Sequence, residues 1–265
     1  MSDNWIIPDW PAPPNVRAAV TTRRLPGNSR PPFDAFNLGM RCGDDPGSVA
    51  ANRAALQRVL GLPAAPHWLR QVHGTAVARF AAADEPAREP QADAAIACAA
   101  GVVLAVLTAD CLPILISADD GSEIAVAHAG WRGLASGVIE ATLDGLATPP
   151  ARLLVWLGPA IAARSYEVGA EVRAAFAQPV AADPQAMDDD ARTTDSRSEA
   201  ASPFAATRPG HWHCDLAGIA RQRLSAHGVT RVHGGDFDTA SDGRFYSYRR
   251  DDRCGRFASL IWRTR

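Results

Sequence analysis

Two side chains able to do nucleophilic, acid–base or metal chemistry, those of Cys111 and His128, flank a predicted β-hairpin. Short apolar runs stand on each side of Asp120-Gly121, and an Asp-Gly pair between such runs is a strong hairpin signal. A two-residue turn there places His128 opposite Pro113, so that Cys111 shares a sheet face with His128. Diagonal neighbours on one face lie roughly 7–8 Å apart, so the pattern predicts a thiol and an imidazole at one place.

Packing is the competing interpretation, because cysteine is often a buried, chemically inert residue. Asp110 argues against it, since a carboxyl group beside Cys111 in an apolar segment is costly unless it is paired or functional. Pro113 is the weak point of the hairpin, because proline bends a strand or places it at a sheet edge. Gly130 and Gly133 permit a tight turn into a predicted helix over 134–146, whose first N–H groups would face an anion.

A third candidate, His73, lies in the segment Trp68–Gly74. Together with Cys111 and His128 it matches the three-ligand pattern of a catalytic zinc site that keeps one open position. Its distance from Cys111 along the chain does not by itself bring the two side chains together.

The segments that carry these residues resemble the signature blocks of the laccase-domain family, whose members are called multicopper polyphenol oxidoreductases, purine nucleoside phosphorylases or peptidoglycan-editing factors. They read WLRQVHG, TADCLPIL and VAHAGWRG. Further blocks resemble the family in the family order, from about Val16 to Trp262, and they lie at 36–39, 43–46, 52–53, 91–94, 157–161 and 245–251.

The resemblance implies that His73, Cys111 and His128 bind a metal, usually zinc, with copper as the other candidate. It also implies phosphorolysis of a purine nucleoside such as adenosine, inosine or methylthioadenosine, with adenosine deamination as a second activity. A zinc ion polarises a bound group or lowers the pKa of bound water, which suits both reactions. The expected partners are therefore small molecules, a purine nucleoside and phosphate.

Five positions in or beside the family blocks are expected to bind substrate, namely Arg53, Asn37, Gln71, Asp110 and Arg249. Phosphate needs cations or N–H groups, which Arg53, Arg249 and the turn at 130–133 would supply. The competing interpretation of Arg53, on a predicted helix over 45–60, is a salt bridge.

Two other enzyme classes remain open. Copper-dependent phenol oxidation ranks lower, because multicopper chemistry needs many histidines and the chain has 7. Hydrolysis in cell-wall precursor editing would use metal-activated water or Cys111 as the nucleophile. A non-enzymatic binding module is least favoured, because a buried Asp-Cys pair beside a histidine is costly without chemistry.

Two short segments, 238–239 and 211–213, do not fit the family blocks described above. Asp238-Thr239 stands where many relatives carry Cys-Thr, which removes a second thiol from the neighbourhood. His211 and His213 superficially resemble a metal cluster, but Asp215 is a good N-cap for a helix over 216–227, and a zinc site there is not favoured.

Composition predicts an ordinary globular protein of 265 residues, 47% hydrophobic and 21% charged. The net charge of −2 argues against nucleic acid as a partner. Five cysteines without a CxxC pair favour a reducing cytoplasm and free thiols. The N-terminus has no secretory pattern, and the longest apolar stretch is too short and too interrupted to span a membrane. A monomer or weak homodimer is expected.

The predicted fold class is α/β, a single domain over 1–265 with mixed β-sheet(s) flanked by helices. The resemblance implies the laccase-domain, cytotoxic-necrotizing-factor-like type. Residues 177–210 are predicted to form a variable surface loop. Strands are expected at 16–22, 153–157 and 258–262, and a strand pair or strand-loop-strand is expected over 68–80 around His73. Further helices are expected at 168–176 and 216–227.

Overall fold

A computed structural model describes residues 4–82, 89–177 and 202–264 of the chain. Its strands are β1 (Trp5–Ile6), β2 (Val16–Thr21), β3 (Val77–Phe80), β4 (Ala94–Ala97), β5 (Val103–Thr108), β6 (Leu112–Ala118), β7 (Ile124–Ala129), β8 (Leu153–Leu157), β9 (Glu167–Gly169), β10 (Phe204–Arg208), β11 (His211–Cys214), β12 (Arg231–Gly234) and β13 (Phe257–Arg263). Its α-helices are α1 (Pro46–Val59), α2 (Trp131–Ser136), α3 (Val138–Gly145), α4 (Ala170–Ala175) and α5 (Leu216–Ala226), with 3₁₀ turns at Pro150–Arg152 and Ala163–Ser165.

The largest sheet has six strands in the order β12-β8-β6-β7-β4-β3. Its two outer pairs, β12 with β8 and β3 with β4, are parallel, and the three central pairings are antiparallel. A four-stranded antiparallel sheet has the order β1-β2-β13-β5, and a small antiparallel sheet has the order β10-β11-β9. The chain is a single α/β domain with mixed and antiparallel sheets flanked by helices, which confirms the predicted fold class.

Alternating side chains of the strands build separate apolar layers. Leu104 and Val106 of β5 face the six-stranded sheet, whereas Val103 and Ala105 face the layer that contains Leu56 of α1. Successive side chains of a strand point to opposite faces, so β5 serves both layers. The other face of the six-stranded sheet is covered by residues of α2, α3, α4 and α5.

Several predicted elements are confirmed with small changes at their ends. The helix predicted over 45–60 is α1, with the Asp45 side chain accepting a hydrogen bond from the Ser48 N–H and with Pro46 in its first turn. The helix predicted at 216–227 is α5, with Asp215 accepting from the Gly218 N–H. The strands predicted at 16–22, 153–157 and 258–262 correspond to β2, β8 and β13.

Other expectations were wrong. The helix predicted over 134–146 begins earlier and is broken into α2 and α3 at Gly137, whose φ is 99°. Of the two strands expected over 68–80, the second is β3, and the first is reduced to an isolated bridge between Arg70 and Gln91. The helix expected at 168–176 is shorter, because its first residues belong to β9.

The predicted loop 177–210 is also wrong in part. Residues 178–201 lie outside the described residues, but Phe204–Arg208 forms β10, which pairs with β11. An Ala- and polar-rich segment shows no strand signal of its own, and pairing with a neighbouring strand decides its structure. No helix in the described part of the chain is long and apolar enough to cross a membrane.

Candidate metal centre and the cavity around it

The hairpin that carries Cys111 and His128 has the predicted register, since Pro113 of β6 pairs with His128 of β7. Cys111 directly precedes β6, and it reaches the same end of the strand pair as His128. The edge position considered for Pro113 was wrong, because β6 lies between β7 and β8. Proline is tolerated near the start of this strand, where its carbonyl accepts a hydrogen bond of 2.8 Å from the Gly158 N–H.

His73 completes a three-residue cluster with Cys111 and His128. The Cys111 Sγ lies 3.7 Å from the His73 Nε2, and the two imidazole centroids are 4.7 Å apart. One ligand atom from each of the three residues lies within 4.8 Å of the others. This is the single group of three or more His, Cys, Asp or Glu residues with metal-like spacing among residues 4–82, 89–177 and 202–264.

Gly130 lets the chain pass between two of these side chains as it turns from β7 into α2. A Cβ atom at Gly130 would lie 2.8 Å from the His73 Cδ2 and 2.9 Å from the Cys111 Sγ. Any larger residue would therefore push the candidate ligands apart. The predicted helix start beside the cluster is α2, which begins at Trp131 and has only six residues.

Asp93, just before β4, holds two of the three candidate ligands. Its carboxylate accepts hydrogen bonds from the N–H groups of Val72, His73 and Gly74 at 3.1, 2.9 and 2.8 Å. It also lies 2.8 Å from the His128 Nδ1. His73 has a φ of 61°, so this carboxylate stabilises a left-handed backbone that a histidine adopts rarely.

The cluster favours a charged pair. Burial by itself would raise the pKa of Cys111, but the charge and hydrogen bond of His128, together with His73, lower that pKa to about 6. Burial likewise would lower the pKa of His128, but the Cys111 thiolate and Asp93 raise it to about 9. A thiolate with two imidazoles is a donor set that zinc binds well, with a fourth position left for water or substrate. The residues therefore fit a metal centre.

A cavity of about 680 Å³ opens onto this centre. Its wall has apolar and aromatic parts, including Leu69, Leu107, Ile161, Tyr166 and Tyr248. Of the five predicted substrate-binding residues, four line it: Arg53, Gln71, Asp110 and Arg249. Asn37 does not, because it is fully buried.

Asn37 and Gln71 both brace loops around the cavity. The Asn37 amide donates to Asp44 at 2.9 Å, and its oxygen accepts from the Gly39 and Arg256 N–H groups. Gln71 exchanges two hydrogen bonds of 2.8 Å with the backbone of Leu107. The amide groups of both residues are thus engaged by protein.

Asp110 ties the C-terminal segment to the centre. It has a φ of 92°, and its carboxylate accepts from the Thr239 hydroxyl at 2.6 Å and the Arg249 N–H at 2.7 Å. The Arg249 guanidinium donates to the carbonyls of Ser165 and Glu167, and it stacks 5.0 Å from the Tyr166 ring. Asp110 therefore fixes the backbone of Arg249, and the segment before β9 holds the Arg249 guanidinium.

Arg53 makes the salt bridge that sequence reasoning offered as the alternative. It lies 2.7 Å from Glu89, donates to the Leu38 carbonyl at 2.9 Å and stacks 4.3 Å from the Trp68 ring. Arg41 shares Glu89 at 2.6 Å. Glu89 therefore holds two cations at one side of the cavity.

The structure also shows the surroundings of Asp238 and of the pair His211 and His213. Asp238 is buried and accepts from the Ser165 hydroxyl and the Ala162 N–H, so it fastens the segment that follows β8. His211 and His213 lie on β11, and no metal-like group forms there in the described part of the chain.

Sequence reasoning missed Tyr166 and gave no individual role to Asp93, Trp131 or Arg132. It placed Asp93 only in the family block 91–94, and it expected the turn at 130–133 as a whole to help bind phosphate. A signal existed for Asp93, because it interrupts the apolar run 92–97 as Asp110 interrupts the run before Cys111. Trp131 and Arg132 belong to the block VAHAGWRG that carries His128. Nothing local marked Tyr166, which reaches the cavity from the segment between β8 and β9.

Comparison with known proteins identifies relatives along nearly the whole chain. A family model described as "Multi-copper polyphenol oxidoreductase laccase" matches residues 17–264. A Pseudomonas aeruginosa protein named "Purine nucleoside phosphorylase PA4543" is 50% identical over 260 residues, which is 97% of this chain and 98% of that protein. A Xylella fastidiosa (strain Temecula1) protein named "Purine nucleoside phosphorylase" is 49% identical over 98% of this chain and 97% of its own length.

A solved structure agrees with these matches. The crystal structure of the Neisseria meningitidis protein NMB0706 superposes with a TM-score of 0.86 and 40% identity, covering 99% of this chain and 100% of that one.

Proposed function

Because the chain belongs to the multi-copper polyphenol oxidoreductase laccase family and its close relatives are named purine nucleoside phosphorylases, we propose that it phosphorolyses purine nucleosides with a bound metal. The observation that carries the proposal is identity of about one half over almost the full length of those relatives. The expected substrates are adenosine or inosine together with phosphate.

The cavity suits both substrates. Its volume of about 680 Å³ falls within the range of about 300–1,000 Å³ usual for small-molecule sites. Aromatic and apolar residues such as Trp131, Tyr248 and Leu107 suit a flat purine, and the arginines of the wall suit an anion.

In the proposed reaction, phosphate is the nucleophile and the purine is the leaving group. A phosphate oxygen attacks the anomeric carbon of the ribose, the bond to the purine nitrogen breaks, and the purine leaves with that electron pair and gains a proton. His73, Cys111 and His128 would hold the metal, and Asp93 keeps two of them oriented. A zinc ion bound there would polarise a substrate group or a water molecule.

Adenosine deamination is a second activity within this proposal. The observation that favours it is the three-residue donor set, which leaves a coordination position for a water molecule. Copper-dependent phenol oxidation gains less support, because the described residues provide one metal-like cluster and multicopper chemistry needs several.

The decisive experiment follows inosine and adenosine with and without phosphate. Phosphorolysis gives free base and ribose 1-phosphate only when phosphate is present, whereas deamination converts adenosine to inosine without it. Cys111→Ser should lose stoichiometric zinc and both reactions, because a neutral hydroxyl replaces the thiolate ligand.

Cys98→Ser is the matched control, since Cys98 is exposed and does not line the cavity. Equal release of base with and without phosphate would contradict phosphorolysis. Full zinc occupancy in Cys111→Ser, measured by elemental analysis, would contradict the metal site.

A further inference from the structure

Five arginines line the cavity, but they differ in how many of their N–H donors are already used. Four are held by carboxylate or carbonyl oxygens of the protein: Arg41 by Glu89, Arg53 by Glu89 and Leu38, Arg249 by Ser165 and Glu167, and Arg256 by Cys254 and Gly255. A guanidinium that already donates to the protein has fewer N–H groups left for a ligand.

Arg132 is the exception. Within the described residues it has no ion pair and donates no hydrogen bond, and its contact is with the ring of Trp131, 4.2 Å from the Arg132 Cζ to the ring centroid. Stacking uses the face of the guanidinium and leaves the N–H groups, which lie in its plane, pointing outward. The stack thus orients the cation without consuming its donors.

Arg132 lines the same cavity as the three candidate ligands, His73, Cys111 and His128. It lies two residues after Gly130, where an added Cβ would come within 3 Å of the His73 Cδ2 and the Cys111 Sγ, and it is four residues after His128. It lines both the main cavity and an adjoining depression that also contains Trp131, Tyr166 and Arg249. Solvent and the cavity both reach its side chain.

We infer that Arg132 binds the phosphate substrate and holds it beside the metal centre. This inference rests on the proposed phosphorolysis and assigns its anion to one residue. Arg53, which sequence reasoning expected to contact the anion, then serves mainly to hold Glu89 and the wall of the cavity.

A guanidinium at this point suits the chemistry of phosphate. Phosphate carries its charge on oxygens that accept paired N–H donors from a guanidinium. As the anomeric carbon takes up a phosphate oxygen and the purine leaves, Arg132 keeps the remaining oxygens in place and no electrons are exchanged with the protein. Lysine offers the same charge without the paired geometry.

The test compares Arg132→Ala and Arg132→Lys with the wild type. Phosphate is titrated at saturating inosine, and phosphate binding to the zinc-loaded protein is measured separately by calorimetry. Hydrogen bonds between charged groups contribute more to the binding free energy than neutral ones do. Arg132→Ala should therefore raise the KM and Kd for phosphate about tenfold or more. Arg132→Lys should recover part of this loss, and the KM for inosine should stay within about twofold.

Arg58→Ala is the matched control, because Arg58 is an exposed cation of α1 that does not line the cavity. Circular dichroism melting establishes that each variant is folded. An unchanged phosphate Kd in Arg132→Ala, or the lack of phosphate binding by the wild type, would overturn the inference. Base release without phosphate by a wild type that binds phosphate through Arg132 would instead count against phosphorolysis.

Discussion

At the scale of single residues, Asp93 links the backbone of one candidate ligand to the side chain of another. Its fully buried carboxylate receives N–H groups from the loop that carries His73 and lies against the Nδ1 of His128. A histidine that donates from Nδ1 presents Nε2 to a metal. Asp93 thus sets both the backbone of His73 and the orientation of the His128 ring.

Asp93→Asn should weaken zinc binding while the three candidate ligands stay in place. The amide of asparagine has one acceptor oxygen where the carboxylate has two. Its NH₂ group would also face the backbone N–H groups of Val72, His73 and Gly74, which are donors themselves. Loss of a residue that supports metal ligands typically lowers metal affinity about 10–100-fold. Competition with a chromophoric chelator measures the change.

Asp144→Asn is the control, since Asp144 is exposed on α3. A zinc affinity of Asp93→Asn equal to that of this control would show that Asp93 does not support the centre.

Convergence of His73, Cys111 and His128 was predictable to different degrees. The hairpin register placed Cys111 and His128 together, because a two-residue turn determines every pair along both strands. His73 joined them only through the family resemblance. The role of Asp93 depends on β4 lying beside β7, a distant pairing that no local pattern specifies.

At the scale of elements, the break between α2 and α3 decides how the chain leaves the centre. Gly137 ends α2 and begins α3 with a φ of 99°, which L-residues rarely adopt. The apolar spacing of 134–146 continues across this residue, so periodicity alone predicted one helix. Leu134 of α2 and both Val138 and Ile139 of α3 belong to the apolar layer on the large sheet, so each short helix packs there on its own side of the break.

Gly137→Ala should lower the free energy of unfolding by about 1–2 kcal/mol, because a Cβ is strained in the left-handed region. For a protein of this size each kcal/mol corresponds to a fall in Tm of about 2–4 °C. Denaturant unfolding followed by fluorescence measures the difference.

Gly243→Ala provides the comparison, because Gly243 has no positive φ and a Cβ there meets no atom within 4 Å. If the two variants proved equally stable, strain at Gly137 would not be the reason for the glycine.

Helices whose first residues carry a start signal in the sequence were predicted well. Strands whose structure depends on pairing with a distant strand were not. Pro46 lies in the first turn of α1, and the capping residue Asp215 marked the start of α5. β10 carries little apolar periodicity and is mostly exposed, so its structure depends on pairing with β11. The same dependence on partners explains why the order of strands in the sheets was not predicted.

At the scale of the whole molecule, Asp238 joins segments that are far apart in sequence. Its carboxylate accepts from the Ala162 N–H and the Ser165 and Ser241 hydroxyls, and it lies 2.9 Å from Arg164. Burial works to raise the pKa of Asp238, but these hydrogen bonds and the Arg164 charge lower it from its ordinary value of 3.8. The ionised form is therefore the one that stabilises the fold.

This shift predicts the pH dependence of stability. A lowered pKa in the folded state contributes stability that is present above the ordinary pKa and is lost as the pH falls through the folded value. The stability difference between wild type and Asp238→Asn should be largest near neutral pH and should shrink below about pH 4. Melting temperatures between about pH 7 and pH 3 test this.

Asp9→Asn is the control for a general loss of charge, because Asp9 is exposed. A difference between wild type and Asp238→Asn that stayed constant over this range would contradict the assigned role of the carboxylate.

The turn at Asp120-Gly121 lies at the end of β6 and β7 remote from Cys111 and His128. Six residues separate it from His128 and eight from Cys111. At about 3.3 Å for each extended residue, the turn is roughly 20 Å or more from these candidate ligands. Ser122 at this turn is exposed. A linker attached to Ser122 would therefore immobilise the protein on a solid support with its cavity facing away from the matrix and accessible to small molecules in the flowing solution.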